Sequence, residues 1–70
     1  MTEHVYKVVE IVGTSEQSLS DAIERGVSKA SESIHHMGWF EVTKISGHLE
    51  DGKIGHYQVS LKLGFRVNES

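Results

Sequence analysis

Five histidines, His4, His35, His36, His48 and His56, are the side chains best suited to acid–base or metal chemistry in this chain. A metal site needs ligands that converge at fixed spacing. His35 and His36 are adjacent, so on a helix they point about 100° apart and chelate poorly together. His48 and His56 fall on opposite parities of the hairpin described below. Surface histidines near a helix end are therefore favoured over an intrachain metal site, with a cluster across a symmetry axis left open. The chain has no cysteine, which removes thiolate nucleophiles and thiolate metal ligands. No Gly-x-Ser-x-Gly elbow is present. Gly13-Thr14-Ser15 lacks the lysine of a phosphate-binding loop; its free N–H groups could meet an anion, but every helix start offers as much. No catalytic residue and no metal ligand is expected.

The remaining candidates for chemistry are binders. Trp39 is the only tryptophan and stands beside Gly38 at the mouth of a strand. It can fill a core or offer a flat face to a ligand or another subunit. Gln58, a neutral donor and acceptor, could read a heterocycle with a carbonyl and an N–H edge; otherwise it is a solvated strand glutamine. Arg66 could hold a phosphate; otherwise it is a solvated cation at a strand end.

The elements that must position these residues follow from periodicity. Val5 to Val12 is rich in β-branched residues and predicts a first strand ended by Gly13, with imperfect alternation that allows a bulge. Thr14 with Gln17 fits a capping box, and Ser18 with Asp21 offers a second helix start one turn later. Leu19, Ala22, Ile23, Gly26, Val27, Ala30, Ile34 and Met37 then share one helical stripe. Gly26 on that stripe predicts close approach of a strand backbone, at a cost of about 1 kcal/mol relative to Ala. His35 and His36 would lie in the last turn, with Gly38 as the stop. A second strand runs from Trp39 to about Leu49. The Asp51-Gly52 pair predicts a tight hairpin turn into a third strand, Ile54 to Val67.

A two-residue loop sets the register. It pairs Glu50 with Lys53, Ile45 with Gln58, Thr43 with Ser60, Glu41 with Lys62 and Phe40 with Leu63. Phe40 and Val42 then join the apolar face of the third strand. Trp39, Ile45, Leu49 and Gln58 fall on the opposite face, away from the helix, with Ile54 adding to its apolar groups. The helix makes the first two strands parallel, so the third fits between them. The expected fold is α+β: a β-α-β-β subunit with a three-stranded antiparallel/mixed sheet, order 1-3-2, wrapped around one helix.

Seventy residues form one domain, here spanning 1–70. A chain this short buries only roughly 60% of its unfolded surface, and often leans on oligomerisation. The third strand, at ~3.3 Å per residue, would reach roughly 45 Å. A compact globule of this length has a radius of gyration of about 11 Å. The strand must curl around the helix or extend into a neighbour. Apolar groups on the uncovered sheet face point the same way. The net charge of −3 and the scattered basic residues argue against nucleic acid as a partner. No apolar run is long enough to span a membrane, and the start of the chain lacks a signal peptide pattern. A cytoplasmic protein is expected.

Tyr6 to Ser15, Gly38-Trp39-Phe40-Glu41-Val42, the Gly47-His48 pair, His56-Tyr57-Gln58-Val59 and Gly64-Phe65-Arg66 together resemble the dodecins. The likeness covers nearly the whole chain without gaps. It implies a homododecamer, a hollow shell of cubic symmetry, that stacks flavins in pairs at two-fold contacts between subunits. It implies storage, buffering and photochemical quenching of flavin rather than catalysis, and some bacterial members also bind coenzyme A. By position, Trp39 resembles the tryptophan stacked on the isoalloxazine ring, Gln58 the glutamine that hydrogen-bonds it, and Arg66 an arginine that reaches the phosphate of FMN. Many bacterial members carry arginine directly before the Gly-His pair, where this chain has Ser46. One phosphate contact is thereby missing, which leaves FMN, riboflavin and other flavins open as the ligand. Two other classes compete: a small oligomeric enzyme using His56 or Glu41 at a subunit contact, and an interaction module without a cofactor.

Overall fold

The computed structural model describes residues 5–67, which leaves His4 outside the described residues. Four elements follow one another: β1 (Tyr6–Ser15), α1 (Leu19–Ala30), β2 (Met37–Glu50) and β3 (Lys53–Arg66). β3 lies between the other two strands and runs antiparallel to both. β1 and β2, joined through the helix, are consequently parallel to each other. This is the expected α+β arrangement, with strand order 1-3-2.

β1 does not stop at Gly13. It continues to Ser15, and Gly13 pairs with Val59 inside the ladder. The glycine serves the helix contact: a Cβ there would run into the carbonyl oxygen of Ala22 and reach 3.4 Å from the Cα of Gly26. Gly26 answers from the helix side, where a Cβ would sit 3.2 Å from Ile11 Cδ1 and 3.4 Å from Leu61 Cδ1. Backbone meets backbone at this crossing, as the glycine on the helical stripe predicts.

Of the two candidate helix starts, the second is used. Ser18 is extended, with φ of −165°, and its Oγ accepts from the Asp21 N–H at 3.0 Å. That satisfies one of the first-turn donors that a helix leaves unpaired. The helix ends about two turns earlier than the stripe predicts. Ser31 still reaches back four residues to Val27. Glu32 then donates to Lys29 at 3.2 Å and Ser33 to Ala30 at 3.1 Å, three-residue bonds that tighten the turn before Ile34 closes on Ala30 at 2.9 Å. Ser31, Glu32 and Ser33 contribute little apolar surface to hold a longer helix down. His36 then adopts φ of 65° and swings the chain into β2. His35 and His36 therefore do not occupy the last helical turn, and Gly38 lies within β2 rather than at a helix stop.

The core consists of Ala22, Val59, Leu61 and Leu63, all buried, with Ile11, Leu19, Ile23 and Val27 packed around them. Full burial of Val59, Leu61 and Leu63 contributes roughly 1.5–3 kcal/mol each. The helix packs on β1 and β3 but does not reach β2. Phe40 and Val42 share the face of Leu63 and Leu61, as expected, yet remain 51% and 37% exposed. The subunit measures 56 × 20 × 14 Å with a radius of gyration of 14.6 Å. The long hairpin thus extends beyond the helix.

Asp51 and Gly52 both have positive φ, 55° and 75°, which matches the turn type favoured in two-residue hairpins. Pairing starts at Glu50 with Lys53 as expected, then slips. Gly55 is an extra residue on β3, and Thr43 is an extra residue on β2. Between these bulges the register is offset by one: Ser46 pairs with Gln58, Ile45 with Val59 and Lys44 with Ser60. The expected Ile45–Gln58 and Thr43–Ser60 pairs are absent. Glu41–Lys62 and Phe40–Leu63 are present because the second bulge cancels the first. A one-residue slip exchanges faces. Ile45 therefore turns to the helix side with Val59, and together with Leu49, Ile54, Tyr57 and Leu19 it lines a hollow of about 300 Å³. Of the apolar residues expected on the far face, Trp39 remains there and Ile45, Leu49 and Ile54 do not.

Candidate functional site

The outer face of the sheet, opposite α1, carries all three candidate binders. Along β3 the outward positions are Gln58, Ser60, Lys62, Gly64 and Arg66, alternating with the buried Val59, Leu61 and Leu63. Trp39 is the register partner of Gly64 on one side, and Val8 is its partner on the other. The Trp39 indole crosses over Gly64: a Cβ on the glycine would fall among Cε2, Cζ2 and Nε1 of the ring. One side of the indole thus covers backbone, while the residue stays 44% exposed. Trp39 is neither a core residue nor a freely waving side chain.

Arg66 lies two residues along the same face from Gly64, or about 7 Å at strand spacing. Its backbone N–H donates to the carbonyl of His36 at 3.0 Å, which fixes the strand end. Trp39 and Arg66 are therefore brought to one end of the outer face. Between them and Gln58 lies a charged row in which Lys62 stands between Glu10 and Glu41.

Gln58 sits toward the other end, half-buried between Thr14 on β1 and Ser46 on β2. It is six residues of β3 from Gly64, roughly 20 Å. The structure places Trp39 and Gln58 on one face of the chain but does not bring them together. Beside Gln58 the two strands carry a feature that the sequence reading missed. His48 and His56 are direct register partners, and their rings stack with centroids 5.3 Å apart and planes 9° from parallel. The Gly55 bulge reverses the parity that separated them. The glycine just before His56, three residues past the turn, was the available signal, since strand glycines often mark bulges. Among the described residues no group of three or more His, Asp or Glu side chains converges as a metal site would.

The other polar constellation lies at the β1–α1 junction. The buried Ser15 hydroxyl donates to Asp21 Oδ2 at 2.6 Å and accepts from the N–H groups of Gln17 and Ser18 at 2.9 and 3.4 Å. Arg25 Nε donates to the same carboxylate oxygen at 2.8 Å. The hydrogen bond from Ser15 holds the Asp21 carboxyl below its ordinary range; desolvation opposes this, and Arg25 adds to it. The arrangement closes the turn and caps the helix, and the Asp21 carboxylate that accepts from the hydroxyl, with its pKa lowered, is a poor base for it. Nor do His56 and Glu41 meet as an acid–base pair within one chain. Their β3 positions, His56 itself and the Glu41 partner Lys62, are six residues apart, about 20 Å.

A family model described as Dodecin matches residues 5–68. The dodecin of Thermus thermophilus is 44% identical over 66 residues, spanning 94% of this chain and 96% of that protein. The structure of dodecin from Streptomyces coelicolor superposes with a TM-score of 0.93 at 47% identity and covers 100% of both chains. Dodecin from Streptomyces davaonensis gives a TM-score of 0.92 at 46% identity, covering 97% of this chain and 100% of its own.

Proposed function

The chain belongs to the dodecin family, and on that premise we propose that it is a flavin-binding storage and buffering protein assembled as a homododecamer. The observation that carries this reading is the placement of Trp39. Its indole is seated over Gly64 on the outer sheet face, with much of the residue exposed. A flat aromatic ligand can stack on such a surface, and stacking of this kind contributes roughly 0.5–1.5 kcal/mol beyond area. An isoalloxazine ring meets that requirement and offers carbonyl and N–H groups for Gln58 to read. Arg66, at the Trp39 end of the same face, can meet the phosphate of FMN. Close stacking on an electron-rich indole also gives an excited flavin a route back to its ground state by electron transfer. That step requires no general acid, base or nucleophile, so the protein acts as a binder and quencher rather than an enzyme.

The distance between Trp39 and Gln58 makes the site a property of the assembly. One chain offers them roughly 20 Å apart, whereas an isoalloxazine ring is on the order of 10 Å long. Trp39 from one subunit and Gln58 from another serve the same ligand at a subunit contact. The exposed groups on the helix side, Ile45, Leu49 and Ile54, supply apolar surface for assembly. No described helix is long and apolar enough to cross a membrane, and a cytoplasmic location completes the reading.

Riboflavin and FMN titrated into the purified protein, followed by flavin fluorescence, test it directly. Saturable quenching by both, with light scattering giving a mass near twelve subunits, is the expected result. A monomer that leaves flavin fluorescence unchanged overturns the proposal.

A further inference from the structure

We infer that Gly64 is a positioning residue for Trp39: its missing side chain is the recess that sets the orientation of the indole, and hence the plane on which a ligand stacks. The inference takes its ligand from the flavin reading, but its geometry stands apart from that reading. From Gln58 to Arg66, Gly64 is the one outward position of β3 without a side chain. A glycine inside a strand weakens it and usually marks a close approach. Here the approach is specific. A Cβ at Gly64 would lie within 2.6 Å of Trp39 Nε1 and closer still to Cε2 and Cζ2. These are rigid ring atoms, so no flexible tip can give way. The indole would have to lift off the sheet, toward the side on which it is now exposed. Aromatic partners need offset or edge-on geometry at centroid separations of about 4.5–7 Å, so a lifted indole no longer offers the same surface.

Gly38 provides the matched control. It adjoins Trp39 in sequence and sits at a register shift of β2, yet a Cβ there meets nothing within 4 Å. Its φ is not among the positive ones, so alanine is not strained there.

The experiment compares Gly64→Ala and Gly38→Ala in the assembled protein, with riboflavin as probe. Trp39 is read separately by near-UV circular dichroism and by its emission. Gly64→Ala should change the Trp39 signals and weaken riboflavin binding by about tenfold or more, equivalent to about 1.4 kcal/mol. Gly38→Ala should leave both near wild type. Unchanged Trp39 signals in Gly64→Ala overturn the inference, whatever happens to riboflavin. If wild-type protein fails to bind riboflavin, the flavin reading falls, and the Trp39 signals still decide the role of Gly64. If Gly64→Ala fails to fold, the Trp39→Ala/Gly64→Ala double variant decides. Recovery of the fold supports the inference, because the indole was the obstacle. A double variant as disrupted as Gly64→Ala alone overturns it.

Discussion

Replacing Trp39 in one population of subunits and Gln58 in another separates a shared pocket from a pocket within one chain. The magnitude follows from the register. Trp39 pairs with Gly64 and Ser46 pairs with Gln58, so the two side chains stand six residues apart along β3, roughly 20 Å. The bulge at Thr43 does not shorten this, because the count runs along β3, which has no extra residue between Gln58 and Gly64. On the proposed reading each binding position, here a half-site, takes Trp39 from one subunit and Gln58 from its neighbour. In Trp39→Ala and Gln58→Ala subunits co-assembled at equal amounts, half of the Trp39 positions and half of the Gln58 positions are intact. Under random assembly about one half-site in four holds both. A flavin fluorescence titration should recover about a quarter of the wild-type high-affinity capacity, while either variant alone recovers none. If both residues served a flavin from the same chain, every pocket in the mixture would lack one of them. A mixture that binds no better than the single variants, with mixed assembly verified by mass spectrometry, refutes the geometry.

Trp39→Ala should weaken riboflavin binding by about tenfold or more, about 1.4 kcal/mol, with the mass by light scattering unchanged; loss of assembly would show that the tryptophan is mainly structural. Gly13→Ala forces a methyl group against the Ala22 carbonyl and should cost about 1–3 kcal/mol, read as a lower midpoint in urea. Asp21 has a folded pKa below its ordinary 3.8, so its contribution to stability is present above that value and is lost as pH falls through the lower folded value. Melting temperature followed below pH 3.8 should therefore fall less steeply in Ser15→Ala, which lacks the largest cause of the shift, than in wild type. An unchanged slope would show that the Ser15–Asp21 bond adds nothing to folding.

The elements with strong local signals were legible in the sequence. The Asp51-Gly52 turn, the third strand and the apolar stripe through Ala22 and Gly26 each carry their own chemistry. The strand order followed once the helix tied β1 to β2. Three things were not legible, for separate reasons. The helix end was misread because Ile34 and Met37 continue the apolar period, and nothing local shows that β2 needs Met37 as its first residue. The end of β1 was misread because Gly13 looks like a stop, whereas its role is a tertiary contact with Ala22 and Gly26. The bulges left traces that were not read as such: Gly55 stands inside the third strand, and the apolar positions of β2 change parity from Phe40 and Val42 to Ile45 and Leu49 across Thr43. Parity places Trp39, Gln58 and Arg66 on one face; it holds for Gln58 and Arg66 because β3 has no extra residue between them, and for Trp39 because the Gly55 and Thr43 bulges cancel.

The two hairpin bulges, at Gly55 and Thr43, act as a pair, and their joint effect falls on the surroundings of Gln58. In an unbroken register from the Asp51-Gly52 turn, Gln58 would face Ile45, with Leu49 on the same outer surface. Ser46 and His48 would then point toward the helix side. The Gly55 bulge shifts the partner strand by one, so Ser46 stands beside Gln58 and His48 beside His56. The Thr43 bulge, where the threonine Oγ1 donates to the Ser60 carbonyl at 3.2 Å, restores the count before Glu41 and Trp39. Both changes are needed. The first alone would move Trp39 to the helix side and remove it from the face that holds Gln58. The second alone would do the same, and would leave Ile45 opposite Gln58. With both, a polar neighbourhood forms around the glutamine and the apolar side chains gather on the helix side. One outer face then carries an aromatic surface at one end and hydrogen-bonding groups at the other, the two parts that the proposed flavin site would draw from neighbouring subunits.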